Sequence, residues 1–320
     1  MPADAKIDSV ASTLPGHDAT YFNVPTLSEV TGPLTNKTRI RGDVGAGIEA
    51  TKAVGGKVDG DVVVWASYAC TGPSDTDCLT DPLPMAGDVQ NIAFAARGSQ
   101  VVDWSGNYEE TGGKRNDDPA TTGYKLPFNV GKHDYTWYNG DLGKSAKLTY
   151  DGTSKVKGLS TFRFTQDVAA TTVGTIDLPG SLVGSKEPSV TGDIITTGHL
   201  EMDVEPETGV AMTTVSSPSK WVEVNGTKVL TMIDGTFSLT DATVTDNVDN
   251  YRPLALGLKT LRLWAPIGGT IVGLGLIGLG LAIGQRQRRR RGLISEASAA
   301  PTSASAKASA SNSSWPTTRR

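Results

Sequence analysis

Over roughly the first 240 residues, apolar and polar positions trade places every one or two residues in short runs, the period of strands and not of helices. From Leu159 to Gln166 the alternation is regular: Leu159, Thr161, Arg163 and Thr165 share one face, Ser160, Phe162, Phe164 and Gln166 the other. The run Val62-Val63-Val64-Trp65 opens a segment that reaches Ala69 and predicts a strand buried on both faces at its start. Trp221–Val224 and Thr227–Met232 flank Asn225-Gly226, the dipeptide of a type I′ hairpin, whose two central residues both need φ > 0. Asn139-Gly140, Asp151-Gly152 and the longer Glu205–Gly209 predict further turns. With no strand-helix-strand rhythm, the expectation is a mainly β fold with an antiparallel sheet, either sandwich-like or a curved half-barrel.

The alternation stops at Leu263. From there to Gly284 the chain runs 22 residues without a charge, then meets Arg286, Arg288, Arg289, Arg290 and Arg291. As a helix that stretch is about 33 Å long, enough to cross a bilayer core. Arginines directly after it are a cytoplasmic anchor, which predicts an integral membrane protein with residues 1–262 outside the cytoplasm. Gly269, Gly273, Gly280 and Gly284 fall within roughly 60° of one helix face, a strip on which a second helix can approach closely. Gly268, Gly275 and Gly278 lie elsewhere around the helix, so ordinary glycine content of a span is the competing reading.

These patterns divide the chain into a polar amino-terminal segment (1–18), an extracytoplasmic β-rich region (19–245), a helical stalk (246–262), a transmembrane helix (263–284) and a basic, disordered cytoplasmic tail (285–320). Within the β-rich region, polar residues 105–123 read as an exposed connection between two subdomains. Pro253 is expected near a helix start or kink. Residues 1–18 hold no export signal, so either the β-rich region is cytoplasmic against the sense of the arginine anchor or, as the favoured expectation, a membrane helix lies upstream of this start.

Charge sharpens the picture. The net −4 conceals +7 on residues 285–320 and therefore −11 on the remainder, which argues against nucleic acid as a partner of the folded part. The arginine run suits anionic inner-leaflet lipid. The only cysteines, Cys70 and Cys78, bracket a turn-rich loop and are expected to form a disulfide outside the cytoplasm.

Candidate chemistry is sparse. Gly45-Ala46-Gly47-Ile48-Glu49-Ala50 has the spacing of a dinucleotide-binding turn, but the glycines of 51–60 argue against the helix that would hold a pyrophosphate. Ser181 lacks the spacing of a nucleophile elbow, and His17, His133 and His199 are scattered. Asp75 and Asp77 read as solvated loop charges sooner than as calcium ligands. No enzyme activity, cofactor or metal is expected.

The order of several phrases is distinctive. Leu27-Ser28-Glu29-Val30-Thr31-Gly32, Arg41-Gly42-Asp43-Val44, Leu126-Pro127-Phe128-Asn129-Val130, Tyr135-Thr136-Trp137-Tyr138, Leu178-Pro179-Gly180-Ser181 and Val204-Glu205-Pro206-Glu207-Thr208-Gly209 follow one another collinearly over residues 5–284. In this the chain resembles an actinobacterial membrane-protein family of unknown function labelled PorA-type porins. The resemblance implies an extracytoplasmic β region between two membrane helices, in a cell envelope with an outer lipid layer, and it brings no catalytic residues.

A lipid-spanning barrel needs at least about eight strands of some ten residues with apolar residues outward. The runs here read as shorter and interrupted, so a pore ranks behind a membrane-anchored domain that binds or scaffolds an apolar or envelope component. A curved sheet offers a concave apolar face for such a ligand, and Trp65, Phe128, Trp137, Phe162, Phe164 and Trp221 are the candidates to line it. An envelope hydrolase is the third reading.

Overall fold

The computed structural model describes residues 2–55, 61–80, 85–96, 100–111, 113–117 and 124–297, with side chains as far as residue 286. In sequence order β1 (Lys6–Thr13), β2 (Ala19–Asn23), β3 (Ser28–Gly32) and β4 (Leu34–Gly42) lead into helix α1 (Val44–Val54). Then come β5 (Val62–Pro73), β6 (Ala86–Ala95), β7 (Tyr108–Thr111), β8 (Lys114–Asn116) and β9 (Tyr135–Asn139). The long strands follow: β10 (Lys144–Val156), β11 (Leu159–Pro179), β12 (Ser189–Val204) and β13 (Ala211–Val224). After β14 (Thr227–Asp234) and β15 (Phe237–Leu239) comes helix α2 (Asp241–Ala297).

All fifteen strands belong to one sheet, in the order β8-β7-β6-β5-β4-β1-β15-β13-β12-β11-β10-β9, with β14, β2 and β3 branching from β13. Each pairing is antiparallel. The branch arises because β13 is long enough for two neighbours on one edge: Val215 and Ser216 pair with β15, Ser219–Val224 with β14. Asn225 and Gly226 take φ of 52° and 73° and turn β13 into β14. Val62–Trp65 are buried on both faces, in the middle of a ladder between β4 and β6.

Several expectations give way here. The strands are not uniformly short, since β11 runs 21 residues and β12 runs 16. Polar residues 1–18 are no lead-in, because they supply β1, which pairs along its length with β4 and also with β15. Lys6 and Asp8 hid that strand by occupying its solvent face, where Arg41 Nη2 donates to Asp8 Oδ1 at 2.9 Å. Residues 105–123 carry the β7–β8 hairpin on the same sheet, so in the described residues they do not separate two subdomains. Asp151-Gly152 is a bulge inside β10 and not a turn, with Gly152 at φ 107° and the register shifting between Tyr150 and Thr153. The turn falls at Lys157-Gly158, both at positive φ. Against the expectation from the glycines of 51–60, helix α1 forms over Val44–Val54: Asp43 caps Ala46 N at 2.9 Å, and Gly55 ends it in the left-handed region. Its Gly47 lets the helix lie close on Val62 of β5.

Thr240 precedes helix α2 and caps it, its Oγ1 accepting from Thr243 N at 3.3 Å, and Thr243 Oγ1 donates to Val10 O of β1 at 3.2 Å. Val244 and Val248 are buried with Val156 and Met212 in an apolar cluster. Pro253 lies within the helix and not at its start. Residues up to Lys259 form one compact unit and Thr260 onward another. In the second unit, Leu263 to Gly284 continue α2 as an apolar helix long enough to cross a membrane. A Cβ placed on Gly269, Gly273, Gly280 or Gly284 meets no atom within 4 Å, so in the single chain the glycine strip is uncovered. Arg286 is exposed. The tail expected to be disordered over 285–320 is helical as far as Ala297, where α2 runs on past the apolar stretch; the side chains of Arg288, Arg289, Arg290 and Arg291 and residues 298–320 lie outside the described residues.

Candidate functional site

One face of the sheet lines a cavity of about 830 Å³ within the first unit. Register explains the lining. Ile7, Ser9 and Ala11 of β1 stand opposite Ile40, Thr38 and Asn36 of β4, and all six reach the cavity. Leu239 of β15 pairs with Ala11, and Leu200 and Met202 of β12 pair with Ser216 and Thr214 of β13; these too line the wall. Trp65 of β5 and Trp137 of β9 come from opposite halves of the strand order yet share the cavity, so the sheet curls around it. Register shifts within β10–β11, β11–β12 and β13–β14 supply the bends such curling needs. Tyr251, Leu254 and Leu258 of α2 add an apolar wall.

A strap of residues 124–130 forms another wall. Its Leu126 N donates to Gly209 O at 2.9 Å and its Val130 N to Pro206 O at 2.7 Å, docking it on the turn between β12 and β13. Glu205 holds that turn, its carboxylate accepting from Glu207 N at 3.0 Å and from Thr208 N and Thr208 Oγ1 at 2.7 Å each. Gly209 is at φ 74°, and a Cβ there would run into the carbonyls of Leu126 and Pro127. Glycine is needed at this point for both its conformation and its lack of bulk.

The strap brings two polar groups to the wall. Tyr124 donates to Ser67 Oγ at 3.2 Å, and burial pushes its phenol up to about 12. Lys125 is 7% exposed, and its Nζ donates to Leu126 O and Thr208 O, each at 2.9 Å, while lying 3.8 Å from the centre of the Phe128 ring. Burial lowers its ammonium from 10.5 to about 8. The acid at the wall, Asp141, is held by Lys220 at 2.7 Å. Among the described residues no carboxylate forms an ion pair with Lys125.

Of the aromatic residues proposed for a ligand face, Trp65, Phe128 and Trp137 line the cavity. Phe162 and Phe164 do not. They pack in the adjoining core, where Phe164 is fully buried with Leu148, Met202 and Val204. Trp221 stands on the other face of β13 from Thr214 and Ser216, with its Nε1 donating to Glu223 Oε1 at 2.7 Å. Alternation alone cannot say which side of a strand is concave. The missed residues are Lys125, Tyr124, the β1 trio and the α2 wall. The one local signal was a lysine embedded in the aromatic and apolar run Tyr124–Phe128.

Cys70 and Cys78 are joined in a disulfide that closes the loop after β5, and both are buried. Asp77 of that loop is engaged by Lys37 at 2.8 Å, which with Leu79 N holds its carboxyl below the usual range. His199 pairs with Asp167 at 2.7 Å on an exposed surface, and His133 stacks on Tyr135. Among the described residues no three His, Cys, Asp or Glu side chains gather as a metal site.

Fold, cavity and apolar helix together define a membrane-associated, antiparallel β-sheet protein with a half-open, mostly apolar cavity on one face of its sheet. The family described as Porin PorA matches residues 1–282, and the chain belongs to that family. No curated protein matches the sequence.

Proposed function

We propose that the protein is a membrane-anchored carrier or scaffold of the cell envelope that holds a lipid chain in the sheet cavity and acts without catalysis, with its β region outside the cytoplasm. The observation that carries this reading is the cavity: about 830 Å³, bounded by Ile7, Ile40, Leu200, Met202 and Phe237 among others. That volume lies in the range of roughly 300–1,000 Å³ usual for ligand pockets, and an apolar chamber of this size is best filled by an apolar guest. Native mass spectrometry of the full-length protein, released gently from its own membrane, tests it. A discrete added mass of lipid size is expected, and bare protein in every charge state would remove the reading.

The family's description favours a second reading, a pore. A sheet that faced lipid as a barrel would carry apolar side chains outward and polar ones inward. Here the sense is reversed over the long strands. Arg163 contacts Glu201 at 3.2 Å and Asp203 at 3.0 Å on one face of β11 and β12, opposite Phe162, Phe164 and Met202. A pore therefore needs assembled chains or helices, and not this sheet immersed as it stands. Voltage-dependent single-channel currents from the purified full-length protein in a planar bilayer would place the pore ahead of the carrier.

A further inference from the structure

Lys125 is at odds with its surroundings. A buried ammonium normally has an acid beside it, because removal from water is costly for an unpaired charge. This one lies at the cavity wall with two backbone carbonyls and a ring face as partners and no ion pair among the described residues. An ammonium has three N–H donors, and the two carbonyls take two of them. The other charged residue at the wall, Asp141, is neutralised by Lys220. The wall thus keeps a single net positive charge, set where the strap meets the apolar chamber.

We propose that the cavity takes a single-headed anionic amphiphile, an acyl chain ending in a carboxylate or phosphate, with an oxygen of the head accepting from Lys125 Nζ and the chain lying against the apolar wall. This rests on the lipid-carrier reading and adds to it the charge and position of the head group. The turn held by Glu205 is then part of the recognition machinery: it presents Thr208 O to Lys125 and so fixes the direction of the ammonium. Lys125 is a binding residue, and Glu205 a positioning one.

The test uses the full-length protein in detergent, stripped of lipid, and three probes of one chain length: dodecanoic acid, dodecyl phosphate and methyl dodecanoate. Binding is read at pH 7 by displacement of a fluorescent apolar dye. The wild type is expected to hold one or both anions at least about tenfold more tightly than the ester, the worth of one charge-assisted hydrogen bond. Whether the acid or the phosphate shows the gain identifies the head group. Lys125→Met is expected to lose that preference while keeping the ester's affinity. Equal binding of all three probes by the wild type overturns the head-group proposal and leaves the apolar cavity standing, a result that needs no variant. A preference that survives in a folded Lys125→Met, or in Lys125→Gln should the first fail to fold, also overturns it. Failure of every probe to bind overturns the carrier reading itself.

Discussion

Replacing Lys125 by methionine should change how stability responds to alkali. In the ligand-free protein burial lowers the ammonium from 10.5 to about 8. Below pH 8 folded and unfolded chains both carry the proton, and above 10.5 neither does. Between these limits the unfolded chain binds more protons than the folded one, so stability rises with pH across this window. At about 1.36 kcal/mol per unit, the rise attributable to Lys125 is roughly 3 kcal/mol. Lys125→Met has no proton there to lose. Other groups titrate in the same range, but they do so in both proteins, and the difference between the two profiles isolates position 125. Thermal melts at pH 7, 9 and 10.5 should show the wild type gaining on the variant by roughly 6–12 °C, taking about 2–4 °C per kcal/mol for a domain near this size. Parallel profiles would refute the inference that Lys125 is charged, buried and without an anion. At pH 7 the sign of the substitution itself is a contest between relief of the buried charge and two carbonyls left without their donor, which is why the pH dependence is the better readout.

Gly209→Ala should cost at least about 2 kcal/mol, from the positive φ and the collision with the strap carbonyls, and should weaken apolar-probe binding along with the melt; an unchanged melt would mean that the strap does not dock there. Arg163→Met leaves Asp203, 4% exposed, without its main partner and should destabilise by roughly 2 kcal/mol, less than for a fully buried pair because Arg163 is a third exposed. The double variant Cys70→Ser, Cys78→Ser opens a short loop and should lose roughly 2–3 kcal/mol in denaturant unfolding, with equal midpoints counting against a structural role. A brominated alkane seated in the cavity should quench Trp65 and Trp137, and quenching should fall in Trp65→Phe, Trp137→Phe; the same quenching in that variant would put the guest elsewhere.

How much of this was readable in the chain depends on the range over which each feature is decided. Asn225-Gly226 announces its hairpin because turn chemistry is local, and Val62–Trp65 announces a central strand because burial on both faces leaves a run without alternation. The long apolar helix is legible for the same reason. Strand β1 is not, since Lys6 and Asp8 put charges on its exposed face and Ser9 a hydroxyl on its cavity face, and its other neighbour, β15, lies more than two hundred residues on. Asp151-Gly152 shows the limit of turn chemistry: the same dipeptide serves a bulge when the strand continues past it. The site was the least legible part. Trp65 and Trp137 could be named as apolar, but only the curl of the sheet distinguishes them from Phe164 and Trp221, and only the docked strap turns an ordinary lysine into a buried one.

The free edges of the sheet carry one more consequence. The terminal strands of its branches are β8, β9 and β3, of three, five and five residues, while β11, 21 residues long, pairs with β10 only as far as Thr165 and with β12 alone beyond it. All three residues of β8, Lys114, Arg115 and Asn116, are exposed, and two are cationic. At the opposite end of the path, Tyr138 of β9 donates to Glu109 of β7 at 2.7 Å, joining the two ends through side chains where no backbone ladder runs. Fifteen strands with long exposed rims would invite copies to zip together into fibres. Short, charged or side-chain-tethered terminal strands deny a foreign strand the length it needs, which leaves β11 beyond Thr165 as the stretch of edge where another chain has room to pair.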